Sequence, residues 1–122
     1  MAIHYTIYHN PSCSKSRATL ELLSKHNITP TVVEYLNEPP SSQMLADILT
    51  VLDAQPRDIM RTKEAAYTQQ NLASMDLSTT DLINAIIRTP VLLERPIVIK
   101  QDDSRLVAAA IGRPPENILE LL

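Results

Sequence analysis

The chain has 122 residues, 44% of them hydrophobic and 20% charged, with one cysteine and a formal net charge of −3. That length fits a single domain over residues 1–122 and excludes a two-domain enzyme, and a lone cysteine excludes an internal disulfide. Mild acidity and an aromatic content of 3% argue against nucleic acid as a partner, and no apolar run approaches the roughly 20 residues needed to cross a bilayer.

The N-terminal stretch carries neither a basic region followed by a long apolar run nor a small-residue cleavage site, so a cytoplasmic location is expected. Ile3, Tyr5 and Ile7 alternate with His4, Thr6 and Tyr8 up to the turn signal Asn10-Pro11, which predicts a first strand. After a loop around Cys13, Ala18, Leu22 and Leu23 recur at helical spacing and predict a helix that frays near Asn27. The β-branched run Val32–Leu36 predicts a second strand, parallel to the first, stopped by Pro39-Pro40. Met44, Leu45, Ile48, Leu49 and Leu52 form a helical stripe that Pro56 should end, with Ser41 or Ser42 as its cap.

From Arg57 to Leu77 the pattern weakens to one brief helix near Glu64–Gln70. Ser78 to Asp81 reads as a capping box, with Asp in the usual Glu position, ahead of the stripe Leu82, Ile83, Ile86, Ile87 and the stop at Pro90. Ile97–Ile99 and Arg105–Ala108 flank the polar turn Gln101–Ser104 and predict an antiparallel hairpin. Gly112-Arg113-Pro114-Pro115 then leads into a last helix. The order βαβ, helices, ββα describes an α/β fold: a mixed sheet with helices on both faces, as in a thioredoxin-like domain with a helical insertion.

Cys13 falls where a strand hands over to a helix, so unpaired N–H groups and the helix dipole favour an anion there, either a thiolate or a bound oxyanion. Lys15 and Arg17 add positive potential if they curl back. The alternative for Cys13 is a small buried hydrophobe. Cys13-x-x-Ser16 has no resolving thiol, so redox turnover would need an external thiol. The sixth position after the cysteine is Thr19, not the arginine of a Cys-x5-Arg phosphatase loop, and His4, His9 and His26 do not form a metal-ligand repeat with Cys13. His9 either attends the thiolate as a protonated imidazole or caps the strand end; His4 and His26 read as structural or surface residues. Arg61, Arg95 and Arg113 each sit at an element edge. Converged, their forked donors suit a tetrahedral oxyanion; apart, they are surface ion pairs.

Three blocks, Ile7–Arg17, Glu94-Arg95-Pro96-Ile97-Val98 and Gly112-Arg113-Pro114-Pro115-Glu116, resemble in order the glutathione- and glutaredoxin-coupled arsenate reductase family. Tyr35-Leu36 before Pro39-Pro40 and Arg61 before Lys63-Glu64 extend the likeness over essentially the whole chain. The resemblance implies a thioredoxin-like fold, Cys13 as nucleophile, His9 as the histidine that favours its thiolate, Arg61, Arg95 and Arg113 as oxyanion-binding arginines, and a cis peptide at Arg95-Pro96. It implies arsenate as substrate, glutathione as co-substrate with no bound cofactor or metal, glutaredoxin as partner, a monomeric state and a part in arsenical resistance. Ser14-Lys15 departs from the Gly-Thr pair that follows the cysteine in arsenate-detoxifying members. Two other readings stay open: a glutathione-linked thiol oxidoreductase that does not act on arsenate, and a redox-responsive regulator that binds RNA polymerase. Relatives of the second kind carry Cys-x-x-Cys and lack the full arginine set, both unlike this chain.

Overall fold

The structure, a computed structural model, describes residues 2–122. Alternating side chains build the first strand, β1 (Ile3–His9), followed by helix α1 (Ser14–Lys25) and strand β2 (Thr31–Glu34). Helices α2 (Ser42–Leu52), α3 (Ala65–Gln69) and α4 (Thr79–Arg88) precede the hairpin of β3 (Ile97–Asp102) and β4 (Arg105–Ile111). Short 3₁₀ segments occupy Pro56–Ile59, Pro90–Leu92 and Pro115–Leu121. The sheet order is β2-β1-β3-β4, with β1 parallel to β2 and antiparallel to β3. This is the thioredoxin-like α/β arrangement with a helical insertion between the βαβ and ββ parts.

Period-2 alternation divides the interior into two layers. Ile7 and its β3 partner Val98 face α1 and the C-terminal 3₁₀ segment, packing with Leu23, Ala110, Ile118 and Leu121. Tyr8 and Ile97, one residue along each strand, face the opposite way into a larger cluster with Leu45, Ile48, Leu82 and Ile86 from α2 and α4. The capping box at Ser78 forms in both directions, Asp81 N–H donating to Ser78 Oγ at 3.1 Å and Ser78 N–H to Asp81 Oδ2 at 2.9 Å. Among the described residues no helix is long and apolar enough to cross a membrane.

The structure moves three of the expected boundaries and changes the type of one helix. β2 ends at Glu34, not Leu36, because the N–H groups of Asn37 and Glu38 both turn back to the Glu34 carbonyl, each at 3.0 Å. α2 ends at Leu52 through a left-handed Asp53 with φ 52°, whose N–H returns to Thr50 while that of Ala54 reaches Leu49; Pro56 opens the following 3₁₀ turn instead of closing the helix. The hairpin strands absorb Gln101 and Asp102, leaving a turn at Asp103-Ser104 in which Asp103 has φ 55°. The last element is 3₁₀ and not α, a period that suits burying Ile118 and Leu121 three residues apart on one face. The phenol of Tyr5 clasps its end by donating to the Leu121 carbonyl at 3.2 Å.

Candidate active site

β1 delivers the chain to the site and α1 leaves from it, with Cys13 as the N-cap between them at φ −99°, ψ 123°. The intervening loop is held at several points. Cys13 N–H donates to the Asn10 carbonyl at 3.0 Å, Ser12 N–H to Asn10 Oδ1 at 3.0 Å, and Asn10 N–H to Ser16 Oγ at 3.0 Å. Arg17 does curl back, but to the loop: its Nη1 donates to the Pro11 carbonyl at 2.8 Å. Lys15 and Arg17 are both exposed. Their surface position makes them supports of the loop and rim, not walls of the thiol's pocket.

Cys13 is buried, with 8% of its surface exposed. Burial pushes its thiol up, yet the backbone N–H groups of Ser16 and Lys15, and then the Arg95 guanidinium, outweigh that and hold it below the ordinary thiol value. The neutral sulfur makes no side-chain cap bond of ordinary geometry; the N–H groups gain their full worth as negative charge develops on that large, weak acceptor. The helix-end donors expected from the strand-to-helix junction therefore do bear on the sulfur.

His9 lies elsewhere in this network. Its Nδ1 and Ser16 Oγ are 2.6 Å apart, and burial lowers its pKa against an upward pull from Glu34, with Arg17 lowering it further. The lowered pKa disfavours the imidazolium, so the ring braces Ser16 through Nδ1 instead of standing over the thiolate as a cation. Ser16 is fully buried and joins His9, Asn10 and, through its own N–H, Cys13.

Arg95 precedes Pro96 through a cis peptide, and Arg113-Pro114 is cis as well. Arg95 Nε and Nη1 are buried and have no hydrogen-bond partner among the described residues. Arg61 is brought alongside by an antiparallel bridge between Met60 and Leu93, in which Arg61 N–H donates to the Leu92 carbonyl and Glu94 N–H to that of Ile59, both at 2.7 Å. Arg61 and Arg113 line one cavity of about 340 Å³ with Lys63, Glu64 and Glu94. Arg113 Nη1 reaches the Arg95 carbonyl at 3.5 Å, so this cavity adjoins Arg95. Of the three arginines only Arg95 bears on Cys13, while Arg61 and Arg113 share the adjoining cavity and are paired with Glu64 at 3.3 Å and Glu94 at 3.5 Å.

Tyr35 stood in the sequence without an assigned role. It is 1% exposed, and burial pushes its phenol up against the pull of Arg95, the Asn10 side chain and Arg61. It is thus a protonated phenol where the Cys13 loop meets the arginines. Pairing of Tyr8 with Val33 and His9 with Glu34 places Tyr35 beside Asn10, a register the sequence does not display. The Ser16 spacing did signal its role: the third residue after an N-cap presents its N–H to the cap side chain.

A thioredoxin-like domain with a thiol of lowered pKa at a helix start and an arginine acting on it defines a class of single-cysteine proteins. The chain belongs to the ArsC family, which it matches over residues 8–121. It is 46% identical to the protein YfgD of Escherichia coli K12, described as uncharacterized, over 95% of this chain and 94% of that one. It is 45% identical to an arsenate reductase of Haemophilus influenzae over 95% of this chain and 97% of that one. A solved arsenate reductase from Vibrio cholerae superposes with a TM-score of 0.91 at 42% identity, covering 100% of both chains.

Proposed function

We propose that the protein is an arsenate reductase in which Cys13 is the nucleophile and Arg95, Arg61 and Arg113 hold the oxyanion. The observation that carries this reading is the Cys13 thiol, held below its ordinary pKa beside an arginine with two buried, unpartnered donors. Such donors suit the oxygens of a tetrahedral anion, whose charge they neutralise away from water. The named arsenate reductases among its relatives support the substrate.

In the proposed cycle the Cys13 thiolate attacks arsenic, forming an S–As bond while one arsenic oxygen leaves as water. Glutathione then supplies the second sulfur. Arsenic(V) gains two electrons and departs as arsenite, and the two sulfurs, each oxidised by one electron, join as a Cys13–glutathione disulfide. Glutaredoxin reduces that disulfide, a division of labour that suits a chain with one cysteine. Ser16 and Lys15 N–H groups favour the attacking thiolate, and His9 positions Ser16. No bound cofactor enters the cycle, and a monomer suffices for it.

The test is arsenate-dependent NADPH oxidation coupled through glutathione, glutaredoxin and glutathione reductase. Wild-type protein is expected to turn over and Cys13→Ser to show none. Undiminished turnover in the mutant would overturn the mechanism, and wild-type thiol transfer without any arsenate dependence would favour the glutathione-linked oxidoreductase reading.

A further inference from the structure

Two of the arginines read above as oxyanion ligands are already engaged. Arg61 Nη1 lies 3.3 Å from Glu64 Oε1, and Arg113 Nε lies 3.5 Å from Glu94 Oε1. Glu94 Oε1 also accepts from the Arg95 backbone N–H at 3.2 Å, which ties that carboxylate to the same short segment. Both acidic side chains are about one quarter exposed, at 27% and 26%, and both line the cavity that Arg61 and Arg113 share. Arg95, by contrast, keeps two unpartnered nitrogens. An incoming anion therefore meets one arginine with unpartnered donors and two whose charge is already countered.

We propose that Glu64 and Glu94 are specificity-determining residues that act as internal competitors for the oxyanion cup. Binding is then an exchange: the anion's oxygens replace Glu94 on Arg113 and Glu64 on Arg61, and the displaced carboxylates stay close and repel it. The repulsion scales with the ligand's charge, so the carboxylates oppose a tetrahedral dianion more strongly than a monovalent anion. Arsenate and phosphate carry the same charge, so the carboxylates weaken both alike and select by ligand charge, not between these two anions. This rests on the reading of the three arginines as an oxyanion site, and the experiment separates the two.

The measurement is protection of Cys13 from alkylation by iodoacetamide, a neutral reagent, across concentrations of inorganic phosphate or nitrate, in wild type, Glu64→Gln and Glu94→Gln. Glutamine keeps the side-chain oxygen that accepts the Arg95 N–H and removes the charge. Each variant is expected to lower the phosphate concentration for half-protection by roughly threefold to fivefold, the scale of a partly exposed ion pair, and that for nitrate by a smaller factor. Wild-type protection that neither variant tightens, or that tightens equally for both anions, overturns the competitor proposal and leaves the oxyanion site standing. A role for Glu94 as a mere strut for Arg113 gives weaker protection in Glu94→Gln and also overturns it. Absence of phosphate protection in the wild type removes the oxyanion site and this proposal together.

Discussion

Arg95 is the residue through which the chemistry of Cys13 can be adjusted. Its guanidinium adds to the Ser16 and Lys15 N–H groups in lowering the thiol pKa, against the upward push of burial. Because the thiolate and not the thiol reacts, the rate of alkylation should rise with pH through a midpoint below that of free cysteine. Arg95→Ala should move that midpoint up, and, on the proposed role of Arg95, should reduce arsenate turnover more than the lost thiolate fraction accounts for, since it also removes two buried, unpartnered donors. A midpoint unchanged in the mutant would mean that the helix-end N–H groups alone activate the sulfur. Cys13, His9 and the three arginines stand out as candidates in the sequence because their residue types and the blocks they sit in are distinctive. Tyr35, Glu64 and Glu94 could not be given roles, because a buried phenol or a carboxylate facing an arginine acquires meaning only from what lies across the fold.

At the scale of elements, the junction between β1 and α1 depends on how closely β4 approaches it. Gly112, the single glycine of the chain, follows β4 directly; its N–H donates to the Pro96 carbonyl at 2.9 Å. A Cβ there would stand 2.5 Å from Thr19 Oγ1 and 2.8 Å from Pro96 Cγ. Thr19 is fully buried in α1, with its hydroxyl already donating to the Lys15 carbonyl at 2.8 Å, so it cannot simply swing away. Gly112→Ala should therefore destabilise the protein by about 1–3 kcal/mol through overpacking, measured by urea unfolding. The same push falls on Pro96, the residue after Arg95. A variant as stable as wild type would show that α1 and the Pro96 loop yield more readily than a close-packed interior does. The strands, α1, α2 and α4 could be read from hydrophobic periodicity, and the Ser78 capping box from four residues. The final segment reads as α but folds as 3₁₀, because a short apolar pattern with Ile118 and Leu121 three apart satisfies either helical period.

For the molecule as a whole, the buried His9 ties folding to pH. Its folded-state pKa is lowered by burial from the ordinary histidine value, so the unfolded chain takes up a proton more readily than the native state does. The corresponding stability is fully present above the unfolded value and is lost as pH falls through it toward the lowered folded value. Unfolding free energy from urea titrations should decline between about pH 7.5 and 5.5, the range around the ordinary histidine pKa, and His9→Gln should flatten that decline. A wild-type profile that is flat over this range would contradict burial of a neutral imidazole. A carboxylate contribution from Asp81, whose pKa its Ser78 partners hold below 3.8, is present above that value and is lost only in stronger acid, outside this window.

What the sequence by itself determined is local: the order of strands and helices, the serine N-caps of α2 and α4, a cysteine at a helix start and the absence of a second thiol. These follow from periodicity, dihedral preference and residue chemistry, which act between near neighbours in the chain. Tertiary structure alone decided which groups face that cysteine. The β1–β2 register set Tyr35 beside Asn10, the Met60–Leu93 bridge carried Arg61 to the Arg95 segment, and ion pairing left Arg95 with unpartnered donors while countering Arg61 and Arg113. Charge and desolvation act through space, and Cys13 and Arg95, 82 positions apart in a chain of 122, become neighbours only when the sheet closes.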